Sequence, residues 1–235
     1  MIIVTFNKPD FEYDVHSLLK EFFPKEDIQM YYREPVNFFE NKNLACTSHL
    51  ITDDTEIDFE GASHRFEIRF IGGSDEDVEA KENEAHNTEA DANKAAGEHE
   101  RIELLWSRGD EPTSVYSFCE TEGLNRKEKK NVLKQELYKM VSTGLGRELP
   151  WGTLSGIRPT KIAMKLLDEG ASDDEVFRYM KDVYLASDEK AQLSVDIAKR
   201  EKDLLDKVDY DNGYSLYIGI PFCPSTCAYC SFTSY

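Results

Sequence analysis

Three cysteines fall close together in the stretch YSLYIGIPFCPSTCAYCSFTSY, at Cys223, Cys227 and Cys230. Their spacing is C-x3-C-x2-C, so a single loop carries a compact set of soft sulfur donors. A structural zinc ion closes a tetrahedron with four nitrogen or sulfur ligands. The fourth would have to come from His16, His49, His64, His86, His99, Cys46 or Cys119, and none of these is paired at a zinc-like spacing. An iron–sulfur cube is held by three cysteines, with its fourth iron left open to a small molecule. Catalytic metal sites keep one coordination position open in the same way.

Such a loop needs a rigid approach. Residues 214–220 alternate as a strand would, with Ser215, Tyr217 and Gly219 on one face and Leu216, Ile218 and Ile220 on the other. The aliphatic trio is expected to pack under helices. That leaves Tyr217 and the bare Gly219 beside the cysteines. Pro221 and Pro224 stiffen the entry and remove two N–H donors. Without neighbours the same run is an apolar, β-prone segment with unpaired edges.

Upstream, residues 123–210 read as helical. Val132, Leu133, Leu137, Met140 and Val141 form one stripe, closed by Gly144 and Gly146. Pro159 opens a helix that Gly170 stops, and Ser172 with Glu175 makes a capping box for the next. Ser187 caps a longer helix, with Leu193, Ile197, Leu204 and Leu205 expected on its buried side. A YDNG turn at 210–213 ends the helical region. Residues 1–122 read as an α+β domain: a strand in MIIVTF, then a helix with Phe11, Val15, Leu18, Leu19 and Phe22 in phase. A strand pair turning near Gly61 is expected over EIDFEGASHRFEIRFIGG. The tract 74–100 holds ten acidic residues against two lysines and is expected to be a disordered insertion between the paired strands FEIRFI and RIELLW.

The chain has 235 residues and a formal net charge of −18, which disfavours a nucleic-acid or anionic-membrane surface. The basic cluster RKEKK at 126–130 reads as a solvated helix face. No stretch is apolar enough to span a bilayer, and the start lacks the basic region and cleavage site of a signal peptide. A cytoplasmic protein is expected, with Cys46 and Cys119 as ordinary buried thiols.

The stretch YIGIPFCPSTCAYCSF resembles the cluster loop of radical S-adenosylmethionine (SAM) enzymes, and within them the oxygen-independent coproporphyrinogen III oxidase group. PWGTLSGIRPTKIA at 150–163 is similar to the HemZ-type branch of coproporphyrinogen dehydrogenases. The resemblance implies that Cys223, Cys227 and Cys230 ligate a [4Fe–4S] cluster, at the mouth of a partial β/α barrel whose first strand is 214–220. It also implies that the open iron binds SAM, with Tyr217 contacting that cofactor and Tyr229 beside its adenine. Reductive cleavage of SAM would yield a radical that abstracts hydrogen from propionates of coproporphyrinogen III, giving vinyl groups after loss of carbon dioxide and an electron. A flavodoxin or ferredoxin would supply the reductant. Two positions depart from the oxidases of the group: Gly219 stands in place of a histidine and Phe232 in place of a further cysteine. Phenylalanine at the latter position is also the pattern of the related haem-chaperone branch, so a haem-binding function stays open. So does a stand-alone interaction domain with a vestigial cysteine tail. Residues 211–235 cover only the start of such a barrel, so the expectation is a truncated chain, inactive alone. Trp151, Arg158 and Lys161 lie in the family-like segment, where facing a porphyrin's carboxylates and plain packing or capping are equally compatible with their types.

Overall fold

The computed structural model describes residues 1–32, 61–72, 99–109, 114–156, 158–209, 212–214 and 216–219, the backbone of 48–50, and residues 223, 225, 227, 228 and 230. The fold is α+β. Strand β1 (Ile2–Phe6) is made of β-branched and aromatic residues and is buried on both faces. It lies between β2 (Ile28–Tyr32) and β4 (His64–Ile71), parallel to both. With β3 (Ser48–Leu50), β5 (Arg101–Arg108) and β6 (Ser114–Glu120), these strands form one six-stranded sheet in the order β3-β2-β1-β4-β5-β6. The β4–β5 and β5–β6 pairings are antiparallel. The paired strands expected from FEIRFI and RIELLW are therefore present, with Phe66 opposite Trp106 and Phe70 opposite Ile102. The first half of the pair expected around Gly61 and nearly all of the acidic tract lie outside the described residues.

Helix α1 (Glu12–Phe22) crosses from β1 to β2 and buries Val15, Leu18, Leu19 and Phe22 against the sheet, with Phe11 beside them. Helix α2 (Arg126–Leu145) packs on the same face through Leu133, Leu137, Met140 and Val141. Asn125 and Glu128 cap its start reciprocally, and Gly146 ends it at φ 61°. Its contact with the sheet depends on Gly144, because a Cβ there would fall 2.3 Å from the Trp106 ring. Trp106 stacks on Phe66 with centroids 5.6 Å apart. The basic cluster at the head of α2 is tied down. Arg126 pairs with Asp10 at 2.6 Å and Lys129 with Glu100 at 2.6 Å, so these cations bind α2 to the sheet layer.

A second core joins α3 (Pro159–Asp168), α4 (Asp173–Tyr184) and α5 (Asp188–Leu205) around Ala163, Val176, Met180, Ala191, Val195 and Ala198. Ser172 and Ser187 cap α4 and α5 as their types require. The buried stripe of α5 differs from expectation. Ala191, Ser194, Val195 and Ala198 face inward, while Leu193, Leu204 and Leu205 are exposed and Ile197 is half-buried. Small side chains let α5 approach α3 and α4 closely, and a stripe of leucines would have held them apart.

Among the described residues of 214–220 the expected strand is not formed. Tyr214 and residues 216–219 belong to no ladder. A strand exists only through its hydrogen-bonded neighbours, and none of the described strands lies alongside this run. Among the described residues no helix is long and apolar enough to cross a membrane.

Candidate functional site

The segment 150–158 shows why its sequence is specialised. Gly152 sits at φ 58°, and a Cβ on it would lie 2.0 Å from the Tyr184 carbonyl oxygen. Only glycine lets this turn press against the end of α4. Thr153 N–H then donates to Tyr184 O at 2.7 Å, and Ser187 N–H donates to Pro150 O at 2.9 Å. From the other side, Gln135 of α2 donates its side-chain amide to Asp182 O and Val183 O at 3.0 and 2.8 Å. The turn thus joins the two cores. Arg158 directs its guanidinium within the chain, to the Thr160 hydroxyl and to Glu201 of α5. Lys161 is exposed, and Trp151 is half-buried with the Lys190 ammonium 5.7 Å from its ring centroid.

Beside this turn, Lys134 of α2 is nearly buried. Its ammonium donates to Ser155 Oγ at 3.2 Å and lies 3.9 Å from Asp14 Oδ1. Burial lowers its pKa, Asp14 opposes that, and Lys130 adds to it. The group reads as a polar rivet between α1, α2 and the turn.

The cysteines lie downstream on irregular backbone. Cys223 and Cys227 are exposed, Cys230 is half-buried, and all three thiols are free. The Cys230 N–H donates to Cys227 O at 3.0 Å, so a tight turn already links the last two. Tyr217 is 92% exposed, and its ring folds toward the Cα of Gly219, where a Cβ would come within 3.0 Å of it. Tyr229 lies outside the described residues. Among the described residues no three His, Cys, Asp or Glu side chains are gathered as a metal would require.

The donor set nevertheless fits an iron–sulfur group: three soft, unpaired thiols on one short loop. Metal sites of this kind gather their ligands as they are filled. Three of the other candidate ligands are engaged or buried elsewhere. His64 packs against Phe23 and Trp106, and His99 pairs with Glu122 at 2.9 Å. Burial, helped by Glu136, pushes the Cys119 thiol up to about 12, which keeps it protonated and unsuited to metal. Cys46 and His86 lie outside the described residues.

One cleft stands at the C-terminal ends of β1 and β4, where open α/β sheets commonly bind ligands. Its polar groups are already engaged within the chain. Asn7 exchanges hydrogen bonds with the Phe70 backbone at 2.8 and 2.9 Å, and Glu67 pairs with Arg69 at 2.8 Å.

Comparison with known proteins finds one relative that matches about half of the chain. The chain is similar to HemZ. Over 127 residues the chain is 36% identical to the oxygen-independent coproporphyrinogen-III oxidase-like protein HemZ of Bacillus subtilis (strain 168). The match covers 54% of this chain and 25% of HemZ, so the chain spans about a quarter of that relative's length. No protein-family model matches the chain, and no solved structure does. The link to HemZ is one of sequence.

Proposed function

We propose that this chain carries the cluster-binding loop of a radical SAM enzyme acting on a porphyrinogen, the oxidative decarboxylation of coproporphyrinogen III without oxygen. The observation that carries this reading is the C-x3-C-x2-C run of free, accessible thiols in a chain similar to HemZ. When bound, a [4Fe–4S] cluster with SAM supplies hydrogen-atom abstraction from unactivated carbon. The protein's share is narrower. Cys223, Cys227 and Cys230 would each give up a thiol proton and hold the group through sulfur, and the missing fourth cysteine leaves one iron to SAM. Tyr217 and Tyr229 would lie against SAM. A flavodoxin or ferredoxin would be the reductant, and the compartment would be the cytoplasm. The chain spans about a quarter of HemZ, and the reading assigns it cluster binding.

Anaerobic reconstitution with iron and sulfide tests this directly. The expected result is about four irons per chain and a reduced cubane EPR signal that SAM perturbs. Cys227→Ser should abolish both. A stoichiometric zinc, or no metal at all, would overturn the assignment.

A second reading has its own support in Phe232, which stands in place of the oxidases' further cysteine and resembles the pattern of the haem-chaperone branch. Haem binding without SAM cleavage in the complete protein would favour a haem chaperone instead.

A further inference from the structure

Cys227 and Cys230 share a turn that leaves Cys223 out. The hydrogen bond from Cys230 N–H to Cys227 O, at 3.0 Å, runs from one end of a four-residue turn to the other. The Cα atoms at the two ends of such a turn lie within about 7 Å of each other. A disulfide needs about 4.4 to 6.8 Å between the same atoms. Turn and bridge therefore ask for the same course of the chain. Cys223 is separated from Cys227 by Pro224, Ser225 and Thr226. Among the described residues no backbone hydrogen bond joins it to either of the other two.

The paired thiols also differ in access. Cys227 is exposed, Cys230 is half-buried, and both are free. Cys119 does not compete with them, since it packs against the sheet core and burial keeps its thiol protonated. Neither core contains a residue of the loop, so the turn can close a bridge without disturbing the fold.

We propose that the unloaded loop is a thiol–disulfide switch in which Cys227 and Cys230 close an internal bridge and Cys223 does not take part. The partner is a small-molecule disulfide of the oxidised glutathione class. The Cys227 sulfur, the more accessible of the pair, attacks one sulfur of that disulfide and gives up its proton. The glutathione S–S bond breaks, and the first glutathione leaves as a thiol. The Cys230 sulfur then attacks the Cys227 sulfur across the turn, and the second glutathione leaves with the Cys230 proton. Two protein thiols are oxidised to one disulfide, and one glutathione disulfide is reduced to two thiols. Cys223 can undergo the first step but has no partner across a turn, so it stops at the mixed disulfide. The consequence for iron rests on the cluster-binding role proposed above. A bridged loop has one thiol left to offer a metal, so iron enters only after reduction.

The test is disulfide mapping of the full, metal-free chain after equilibration with reduced and oxidised glutathione and alkylation of free thiols. No Lys or Arg follows Lys207, so trypsin releases 208–235 as one peptide, which carries the three loop cysteines apart from Cys46 and Cys119. Mass spectrometry should show one internal disulfide, between Cys227 and Cys230. Cys223→Ser should keep it. Cys230→Ser should lose it and hold a glutathionyl group on Cys227 instead. Both variants should keep the far-UV circular dichroism spectrum of wild type, because the loop lies outside both cores. A wild-type peptide with no internal bridge would overturn the proposal. So would a bridge lost in Cys223→Ser or retained in Cys230→Ser. The mapping needs no cluster, so its failure leaves iron binding by the reduced loop untouched. Zinc or no metal on reconstitution of the reduced chain would instead remove the cluster and leave the bridge.

Discussion

At the scale of single residues, the chain keeps its reactive-looking groups apart from its structural ones. Glu12 illustrates the structural kind. It is 5% exposed in the first turn of α1, and its Oε1 has no hydrogen-bond partner. Burial raises its pKa. The Tyr32 hydroxyl, which approaches without completing a well-formed hydrogen bond, lowers it by less. A carboxyl raised in the fold supports the fold while protonated, and that support is lost as pH climbs from the ordinary glutamate value through the raised one. Glu12→Gln avoids the loss. It should match wild type at about pH 4 and be more stable by about 1 kcal/mol at about pH 8, as read from urea unfolding. A variant less stable than wild type at the higher pH would show that the ionised carboxylate has a partner. The cysteines of the loop are the opposite case. Their types and spacing alone announce chemistry, whereas nothing in the sequence marks Glu12 as buried, because its burial depends on how α1 seats against the end of β2.

At the scale of elements, hydrophobic phase was a sound guide where side chains are large and the partner is a sheet. The α1 stripe and the β4–β5 pair follow it directly. It failed for α5, where bulky residues were expected inside and the small ones are found there. Periodicity cannot register that helix packing rewards close approach over side-chain size. The short strands β2 and β3 also gave no clear signal, since their pairing with β1 is parallel and closed over distance in the chain. Ala198→Leu tests the α5 account. It should destabilise the protein by about 1 to 3 kcal/mol through overpacking. Leu204→Ala, on a residue 63% exposed, should stay within about 0.5 kcal/mol of wild type. Reversal of that order in denaturant melts would return the leucines to the buried face.

At the scale of the whole molecule, stability and the cysteine loop occupy different parts of the chain. Two cores gather most of the buried hydrophobic residues among those described, and neither includes a residue beyond Ala198. The apolar run ahead of the cysteines stands in solvent: Tyr214 is 90% exposed, Leu216 74% and Ile218 79%. Such an apolar run gains nothing from water, so its stability must come from a strand or helix that it meets. Deleting residues 211–235 should therefore leave the thermal midpoint within about 2 °C of the intact chain, measured by circular dichroism. It should abolish iron uptake in the same preparation. A midpoint lowered by more than about 5 °C would mean that the tail packs on one of the cores and that its exposure is not its working state. Stable protein without the loop, together with iron only when the loop is present, would separate scaffold from site. The fold could then be altered at α5 or β6 without touching the cysteines.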